Sequence, residues 1–330
     1  MFKGHLIFYF PFLFILLFSS SLFALETDQY MSWNVQLQDS RNAVNAYINT
    51  KMLSKLNHPS IQMTNSCLLA ARRVVQVFRR PFFQIIEQWA ENAPEVDVFP
   101  PRNFSGSYRQ ESIYVKHVFP FILPMARSMN VNGVYFGTDK LGHFISFGVR
   151  YFGIYNRALK RGAEERTALQ KVVRFGIMSE VEMVGKIVTG VLSFADLEAN
   201  FQGMLFFRSL CDDKSSFHLE KNESNRWHLV GQFDIAQYVN GDWDESNNES
   251  GFTRARWGGS HGLSQTLQKY CEARHSPTVV QRFNHYRTHF TRSFGQQMIL
   301  DLENAGILQH RRNFNFQNAC SPETASASSK

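Results

Sequence analysis

The sequence predicts a mainly α-helical protein, with a helical bundle-like domain and a loop-rich insertion. Apolar residues recur at helical spacing over long stretches before residue 211 and again between residues 278 and 304. Between these two regions, residues 212–257 are polar and rich in Asn, Asp, Ser and Trp, which is typical of loops. No internal repeat of the kind that builds solenoids is visible. We therefore expect one compact domain.

The first 24 residues have the pattern of a cleavable signal peptide. Lys3 supplies a positive charge, an apolar run follows over residues 6–18, and small residues lead to Ala24 as the expected cleavage site. A membrane anchor is the alternative, but a membrane-spanning helix needs about 20 apolar residues. This run is shorter and contains Pro11. We expect an exported protein, periplasmic or envelope-associated, that is soluble or peripheral after cleavage.

Residues 25–211 are expected to form the helical domain. Helices are predicted at about residues 36–56 and 66–91, and Pro81 should break or kink the second, because proline removes a helical hydrogen bond. After a Pro-rich loop, an irregular helix is predicted at about residues 110–128.

Three more helical stretches are expected between residues 137 and 211. After the loop-rich segment 212–257, residues 258–319 should pack on the same domain, mainly through one helix over residues 278–304. Residues 320–330 are rich in Ser and Ala, which is typical of a disordered tail.

The net charge excludes few partners but makes a nucleic-acid role improbable on physical grounds. The formal charge is +7, and removal of Lys3 with the signal peptide leaves about +6, spread thinly along the chain. Such a distribution favours weak attraction to anionic lipid or cell-wall polymers over a dedicated nucleic-acid site. The expected partners are an envelope lipid, a glycan or a membrane protein, with no nucleic acid.

Four cysteines bear on the compartment. Cys67, Cys211, Cys271 and Cys320 permit two disulfides in three connectivities if the protein is exported. Buried free thiols are the alternative. None of the four has the CxxC or Cys/His spacing of a structural zinc site.

A first polar motif lies at residues 138–144, Thr-Asp-Lys-Leu-Gly-His-Phe. Asp139 and His143 are four residues apart, so they share one face of a helix. Thr138 is a suitable N-cap residue, and Asp139 would then lie in the first turn, where the helix dipole favours a negative charge.

A second polar motif follows about one helix later. Ser193 and Asp196 have the spacing of a capping pair, and Asp196, Asn200 and Gly203 lie on one helix face. Between the two motifs, an apolar helix carries Glu180 and Glu182. Three helices therefore have the means to bring these carboxylates, His143 and Asn200 into one cluster.

The order of these motifs resembles a bacterial envelope superfamily that includes VanZ-like membrane proteins and YfiM-type small envelope proteins. The resemblance covers residues 137–207, and the matching positions are Asp139, Lys140, His143, Phe144, Ser193, Asp196, Asn200 and Gly203. The family glutamate corresponds to either Glu180 or Glu182. The resemblance implies a place in the cell envelope and no defined chemistry. Membrane embedding is not implied, because these helices are less apolar than those of VanZ-like proteins.

Two functions fit the motifs. In the first, the polar residues form a hydrogen-bonded packing network in a structural or interaction-type envelope protein. In the second, His143, Asp139, Glu182 and Asp196 are the catalytic site of a hydrolase-like or metal-dependent enzyme acting on an envelope lipid or glycan. The packing network is the favoured hypothesis. The sequence specifies no metal, cofactor or oligomeric state.

Two further groups of residues have simpler interpretations. His285 and His289 are four apart but lack the Glu of a His-Glu-x-x-His site. With Arg282 and Arg292 they predict a basic outer face on a helix whose apolar face carries Phe283, Tyr286, Phe290 and Phe294.

Asp242, Asp244 and Glu245 are clustered but do not have the spacing of a calcium-binding EF-hand loop. They predict a solvated loop in which Trp243 docks into the body of the protein.

Overall fold

The fold is that of a mainly α-helical protein, as predicted. A computed structural model describes residues 26–79, 84–104, 112, 125–183, 190–258, 263–306 and 314–320. The predicted signal peptide, the predicted break at Pro81 and residues 321–330 of the predicted tail lie outside these residues.

The described helices follow the predicted order. They are α1 (Arg41–Leu56), α2 (Pro59–Gln62), α3 (Cys67–Val75), α4 (Ile85–Asn92), α5 (Asp139–Gly142), α6 (Gly148–Lys160), α7 (Glu165–Met178), α8 (Phe194–Ser209), α9 (Arg254–Trp257), α10 (Leu267–Arg274), α11 (Pro277–His289), α12 (Phe294–Asn304) and α13 (Phe316–Ala319). Two π-helical turns extend this set, His143–Phe147 between α5 and α6 and Ser179–Met183 after α7. Short 3₁₀ helices lie at Gln29–Ser32, Gln76–Phe78, Ile235–Gln237, Gly241–Trp243 and Leu263–Thr266. The three helical stretches predicted between residues 137 and 211 are thus confirmed.

Short strands occupy the connections between helices. They are β1 (Glu26–Thr27), β2 (Val98–Phe99), β3 (Met125–Ala126), β4 (Ser128–Val131), β5 (Val134–Gly137), β6 (Val191–Leu192), β7 (His218–Lys221), β8 (Trp227–Val230) and β9 (Gly251–Phe252). The largest described sheet is antiparallel, with strand order β2-β4-β5. β1 pairs with β3 in parallel, and β6 pairs with β9 antiparallel.

The helix predicted over residues 110–128 is wrong at its C-terminal end, where β3 and the start of β4 lie; the rest falls almost entirely outside the described residues. Val131 of β4 pairs with Val134 of β5, so only Asn132 and Gly133 form the turn. Both have positive φ, 54° and 80°. Asn-Gly favours this two-residue hairpin turn because both residues tolerate the left-handed region. The hairpin ends directly before α5, and it therefore sets where the first polar motif begins.

Helix α8 lies at the centre of the protein, because 13 of its 16 residues are buried. It packs against α6 and the π-helical turn before it. Gly203 makes this close approach possible, since a Cβ there would lie 1.9 Å from the Phe144 carbonyl oxygen and 2.9 Å from Gly148 Cα. Phe144 and Phe206 stack beside the crossing with ring centroids 5.2 Å apart.

The segment 212–257 is rich in loops, as predicted, but the expected solvated loop around residue 243 is wrong. β7 and β8 form a hairpin, and the chain then continues through two 3₁₀ turns. Trp243 is buried as expected, yet Asp244, Glu245 and Ser246 are buried with it. The polar composition of this segment serves hydrogen bonds inside the protein.

The single helix predicted over residues 278–304 is two helices. Helix α11 ends as Phe290 turns to an extended conformation, and Ser293 caps α12 by accepting a hydrogen bond from the Gln296 backbone N–H. Serine is a favoured N-cap, so a new helix begins there at little cost. Gln296 also donates to the Phe194 carbonyl oxygen at 3.0 Å, which joins α12 to the start of α8.

Two disulfides connect distant parts of the chain. Cys67 pairs with Cys211, and Cys271 pairs with Cys320. Of the three possible connectivities this is the one present, and the free-thiol alternative is wrong. Among the described helices, none is long and apolar enough to cross a membrane.

Candidate functional site

The two polar motifs meet at the ammonium group of Lys140, which is completely buried. Its Nζ lies 2.6 Å from Asp139 Oδ2, 2.7 Å from Asp196 Oδ1 and 2.7 Å from Glu245 Oε1. These four residues, together with His143, which contacts Asp196, and Asn200, which contacts His143, form what we call the Lys140 cluster. A buried ammonium is strongly unfavourable unless it is paired. Here three carboxylates from three separate parts of the chain provide the pairing.

Hydroxyl groups fix the carboxylates around the ammonium. Thr27 Oγ1 donates to Asp139 Oδ1 at 2.7 Å, and Ser193 Oγ donates to Glu245 Oε1 at 2.9 Å. Ser193 also accepts a hydrogen bond from the Asp196 backbone N–H at 3.1 Å, so its predicted N-cap role in α8 is confirmed. One serine thereby joins the helix start to the cluster.

The N-cap role predicted for Thr138 is wrong. Its backbone is helical rather than extended, and its side chain makes no capping bond. The hydroxyl instead donates to Glu91 of α4. Glu91 also accepts a hydrogen bond from the Arg127 backbone N–H at 2.8 Å. Thr138 therefore ties the start of α5 to α4.

His143 lies between the amide of Asn200 and the carboxylate of Asp196. Its Nδ1 is 3.1 Å from Asn200 Oδ1, and its Nε2 is 3.4 Å from Asp196 Oδ2. Because an amide oxygen only accepts, Nδ1 is the donor in the first contact. Asn200 in turn donates through Nδ2 to the Tyr151 hydroxyl at 3.3 Å. The His143 ring also stacks on Phe147, with centroids 5.2 Å apart.

Burial and charge shift the pKa values of the cluster in different directions. Burial disfavours the charged form of Lys140, but the three carboxylates outweigh it and hold the pKa well above its ordinary value. Burial also acts against ionised Asp196, yet His143 and Lys140 bring its pKa below the ordinary value. Burial raises the pKa of Glu245 to about 7, and the charges of Asp196 and Asp139 add to the effect. Glu245 is therefore where the cluster gains or loses a proton near neutral pH.

Two of the remaining predicted residues, Gly203 and Glu180, have defined surroundings in the structure. Gly203 makes the close helix crossing described above. Glu180 is buried in the π-helical turn after α7. It lies near Tyr151, whose pKa is raised by burial and further by the Glu180 charge. The side chain of Glu182 lies outside the described part of the chain.

Sequence reasoning missed two carboxylates that matter at this site. Glu245 comes from the polar segment, and its role follows only from the tertiary structure. Glu87 of α4 lies directly under Gly142, where a Cβ would be 1.5 Å from Glu87 Oε1. Burial raises the pKa of Glu87 well above its ordinary value, and the charge of Asp139 adds to this. In the sequence, the glycine at position 142, directly before His143, is the feature that indicates a close contact at this point.

The cluster contains a set of atoms with metal-binding potential. Ligand atoms of Asp139, His143 and Asp196 all lie within 4.8 Å of one another. Lys140 Nζ, however, already lies within 2.7 Å of both carboxylates. The ammonium thus supplies the positive charge that a metal ion would bring. A metal would bind only if Lys140 moved away or lost its proton.

The helix that carries His285 and His289 differs from the prediction. Arg282 does not lie on a basic outer face. It is buried, lies 3.6 Å over the Tyr135 ring and donates to the Val35 carbonyl oxygen at 3.1 Å. The His285 and His289 rings are 4.1 Å apart. Phe294, expected on the apolar face, is 43% exposed.

In comparisons with known proteins, no family model, no curated protein and no solved structure matches this chain.

Proposed function

We propose that this chain is an exported bacterial envelope protein of a structural or interaction type, without enzymatic activity. The main support for this proposal is the Lys140 cluster, in which three buried carboxylates contact one fully buried ammonium group. We infer that this cluster is a packing network that fixes a helical, bundle-like arrangement. A paired and largely hydrogen-bonded polar network inside a protein favours one arrangement of its helices.

The burial of the cluster supports a network over a catalytic site. An enzyme needs its reacting groups in a cleft that the substrate can enter. His143 is only 3% exposed, and both of its ring nitrogens already face polar partners of the protein. Both ring nitrogens of His143 are thus engaged within the protein, and Asp196 Oδ1, which accepts no hydrogen bond from the described residues, is held by the charge of Lys140.

Sequence and disulfides support the envelope location. The N-terminal pattern of residues 1–24 is typical of a signal peptide. The two disulfides fit an oxidising compartment. The motif order resembles VanZ-like and YfiM-type envelope proteins. We place the protein at the membrane face or the cell wall, with an envelope lipid, a glycan or a membrane protein as its partner.

A metal-dependent or hydrolase-like enzyme acting on an envelope lipid or glycan is the second candidate. One observation favours it, the grouping of Asp139, His143 and Asp196 within 4.8 Å. In that case Lys140 would release the carboxylates to the metal, and His143 would act as a ligand or as a general acid/base.

Thermal unfolding distinguishes the two candidates. The variants are His143→Ala and Asp196→Ala, each measured with EDTA and with added zinc, beside the exposed controls His275→Ala and Asp213→Ala. A packing network predicts that both cluster variants melt well below wild type, that the controls do not, and that metal has no effect. Cluster variants as stable as wild type, or zinc stabilisation confined to the wild type, would favour the enzyme.

A further inference from the structure

An arginine-lined groove lies on the face of the protein formed by α3 and α6. Its volume is about 440 Å³, which falls in the range of small-ligand sites. Arg72, Arg79, Arg150 and Arg157 line it together with the apolar side chains of Val149, Ile154 and Phe175. We call it the arginine groove. It is separate from the Lys140 cluster, whose residues do not line it.

The four arginines come from α6 on one side of the groove and from α3 and the residues after it on the other. Arg150 and Arg157 are two turns apart on α6, and residues seven apart lie on one side of a helix. Arg72 lies in the last turn of α3, and Arg79 directly follows the 3₁₀ turn Gln76–Phe78 in an extended conformation. The guanidinium group of Arg72 reaches the α6 side of the groove, since its Nη2 lies 3.1 Å from the position that a Cβ on Gly153 would take.

The groove concentrates positive charge without a compensating acid. Within the part of the chain that the structure describes, no carboxylate lines it, and none forms an ion pair with these arginines. Burial lowers the pKa of Arg79, and the neighbouring charge of Arg150 lowers it further. Burial also lowers the pKa of Arg150. Converging, partly desolvated like charges are unfavourable in the free protein, and an anion between them removes that repulsion.

We propose that the arginine groove binds the phosphate group of an anionic ligand. Guanidinium groups present forked donors that match phosphate oxygens in bidentate geometry. Four of them around one groove suit a group with several charged oxygens better than a single carboxylate. Val149, Ile154 and Phe175 give the ligand an apolar wall beside the charged one. A phospholipid headgroup and a soluble phosphate ester both carry this chemistry.

The proposal goes beyond the function proposed above, since it concerns a different surface. Loss of phosphate binding would leave the unfolding results for His143 and Asp196 unchanged. Loss of the packing network would likewise leave open whether the groove binds an anion. Each proposal can therefore be refuted without affecting the other.

Binding of two probes to the purified full chain tests the groove. The first probe is inorganic phosphate, measured by isothermal titration calorimetry. The second is vesicles of phosphatidylcholine with or without phosphatidylglycerol, measured by cosedimentation. The groove variant is Arg150→Gln with Arg157→Gln. The matched control is Arg226→Gln with Arg254→Gln, which removes the same charge from exposed positions outside the groove.

We expect the groove variant to bind at least about tenfold more weakly than wild type, which corresponds to about 1.4 kcal/mol, and the control to bind as wild type does. If phosphatidylglycerol vesicles show this pattern, the ligand is a lipid headgroup; if only inorganic phosphate does, it is soluble. A second variant, Ile154→Glu, places a carboxylate among the guanidinium groups and should abolish binding while the fold is kept. It replaces the double variant if the double variant unfolds. Absence of binding by wild type to both probes, or equal losses in groove and control variants, would overturn the proposal.

Discussion

Lys140 is the residue on which the polar cluster depends, because its single ammonium group contacts all three carboxylates. Asp139 precedes it in the chain, whereas Asp196 and Glu245 come from α8 and from the polar segment. Its Nζ is also the one cation among these four residues. Each carboxylate loses its nearest positive charge if that group is removed.

Lys140→Met should destabilise the protein strongly. Removing one member of a buried ionic network leaves uncompensated charge in a medium of low polarity, which costs about 3–5 kcal/mol. Urea unfolding of the variant beside wild type measures this difference. Lys171→Met, an exposed position on α7, is the matched control and should change stability by less than about 0.5 kcal/mol. If Lys140→Met is as stable as the control, the cluster contributes little to the fold.

Glu245 should make stability depend on pH near neutrality. Burial raises its pKa from 4.5 to about 7 in the folded protein. The folded state therefore binds more protons than the unfolded state between these values, and stability falls as the pH rises through this window. The contribution is present in full below the lower value and amounts to roughly 3 kcal/mol.

Glu245→Gln tests this dependence, because a neutral amide cannot titrate. Unfolding free energies measured from pH 5 to pH 8 should fall for wild type relative to the variant. The lowered pKa of Asp196 acts in the opposite sense, since its contribution is lost only as the pH falls below the ordinary range of an Asp. That loss lies outside the measured window. Glu223→Gln, at an exposed position, should follow the wild-type curve, and a Glu245→Gln curve parallel to wild type would contradict the prediction.

The sequence predicts part of the cluster and misses the rest for a physical reason. Asp139, His143, Asp196 and Asn200 were identifiable because helical spacing places them on common faces. Glu245 was not, since it is 105 residues from Lys140 and lies in a segment without periodicity. Composition alone made that segment look solvated. Whether a polar loop is buried depends on partners that local spacing does not encode.

At the scale of elements, the crossing of α6 and α8 depends on Gly148 and Gly203, whose backbones approach each other closely. Gly203→Ala would place a Cβ 1.9 Å from the Phe144 carbonyl oxygen, which is backbone and has little freedom to move. The two helices would have to separate, and overpacking of this kind costs about 1–3 kcal/mol or more. We expect a lower midpoint in urea unfolding.

Gly153→Ala on α6 is the matched control for this substitution. Its Cβ would meet only the end of the flexible Arg72 side chain at 3.1 Å. Alanine is favoured over glycine inside a helix by up to about 1 kcal/mol, so this variant should be as stable as wild type or slightly more so. Equal destabilisation by both substitutions would show that close helix packing is not the reason for Gly203.

The type of an element could be predicted where the apolar periodicity extends over several turns. It could not be predicted for short strands, whose position depends on a single turn. The three stretches around the motifs show clear helical spacing, and the structure has helices there. β4 and β5 were missed although Asn132 and Gly133 form a typical hairpin turn. Four-residue strands carry too little periodicity to stand out from the neighbouring Pro-containing segment, so the turn residues were the only usable signal.

At the scale of the whole molecule, the cluster joins segments that are remote in sequence. Thr27, Asp139, Ser193 and Glu245 are held by consecutive hydrogen bonds and ion pairs around one ammonium group. The described N-terminal residues, both motifs and the polar segment therefore contribute to a single folded unit. Contacts of such long sequence separation require closure of large loops, which is entropically costly.

The disulfides reduce this loop-closure cost, and their removal should lower stability. Cys67–Cys211 spans 144 residues and encloses both polar motifs, whereas Cys271–Cys320 spans 49. In the chain-entropy account, cross-links of these lengths restrict the unfolded chain by about 5 and about 4 kcal/mol. Variants with both cysteines of one pair changed to serine should therefore unfold at lower urea concentrations, with the larger loss for the first pair. Reducing agent should lower the wild-type midpoint toward those variants and leave a variant lacking both disulfides unchanged. If reduction does not change the wild-type midpoint, the cysteine pairs do not stabilise the folded protein.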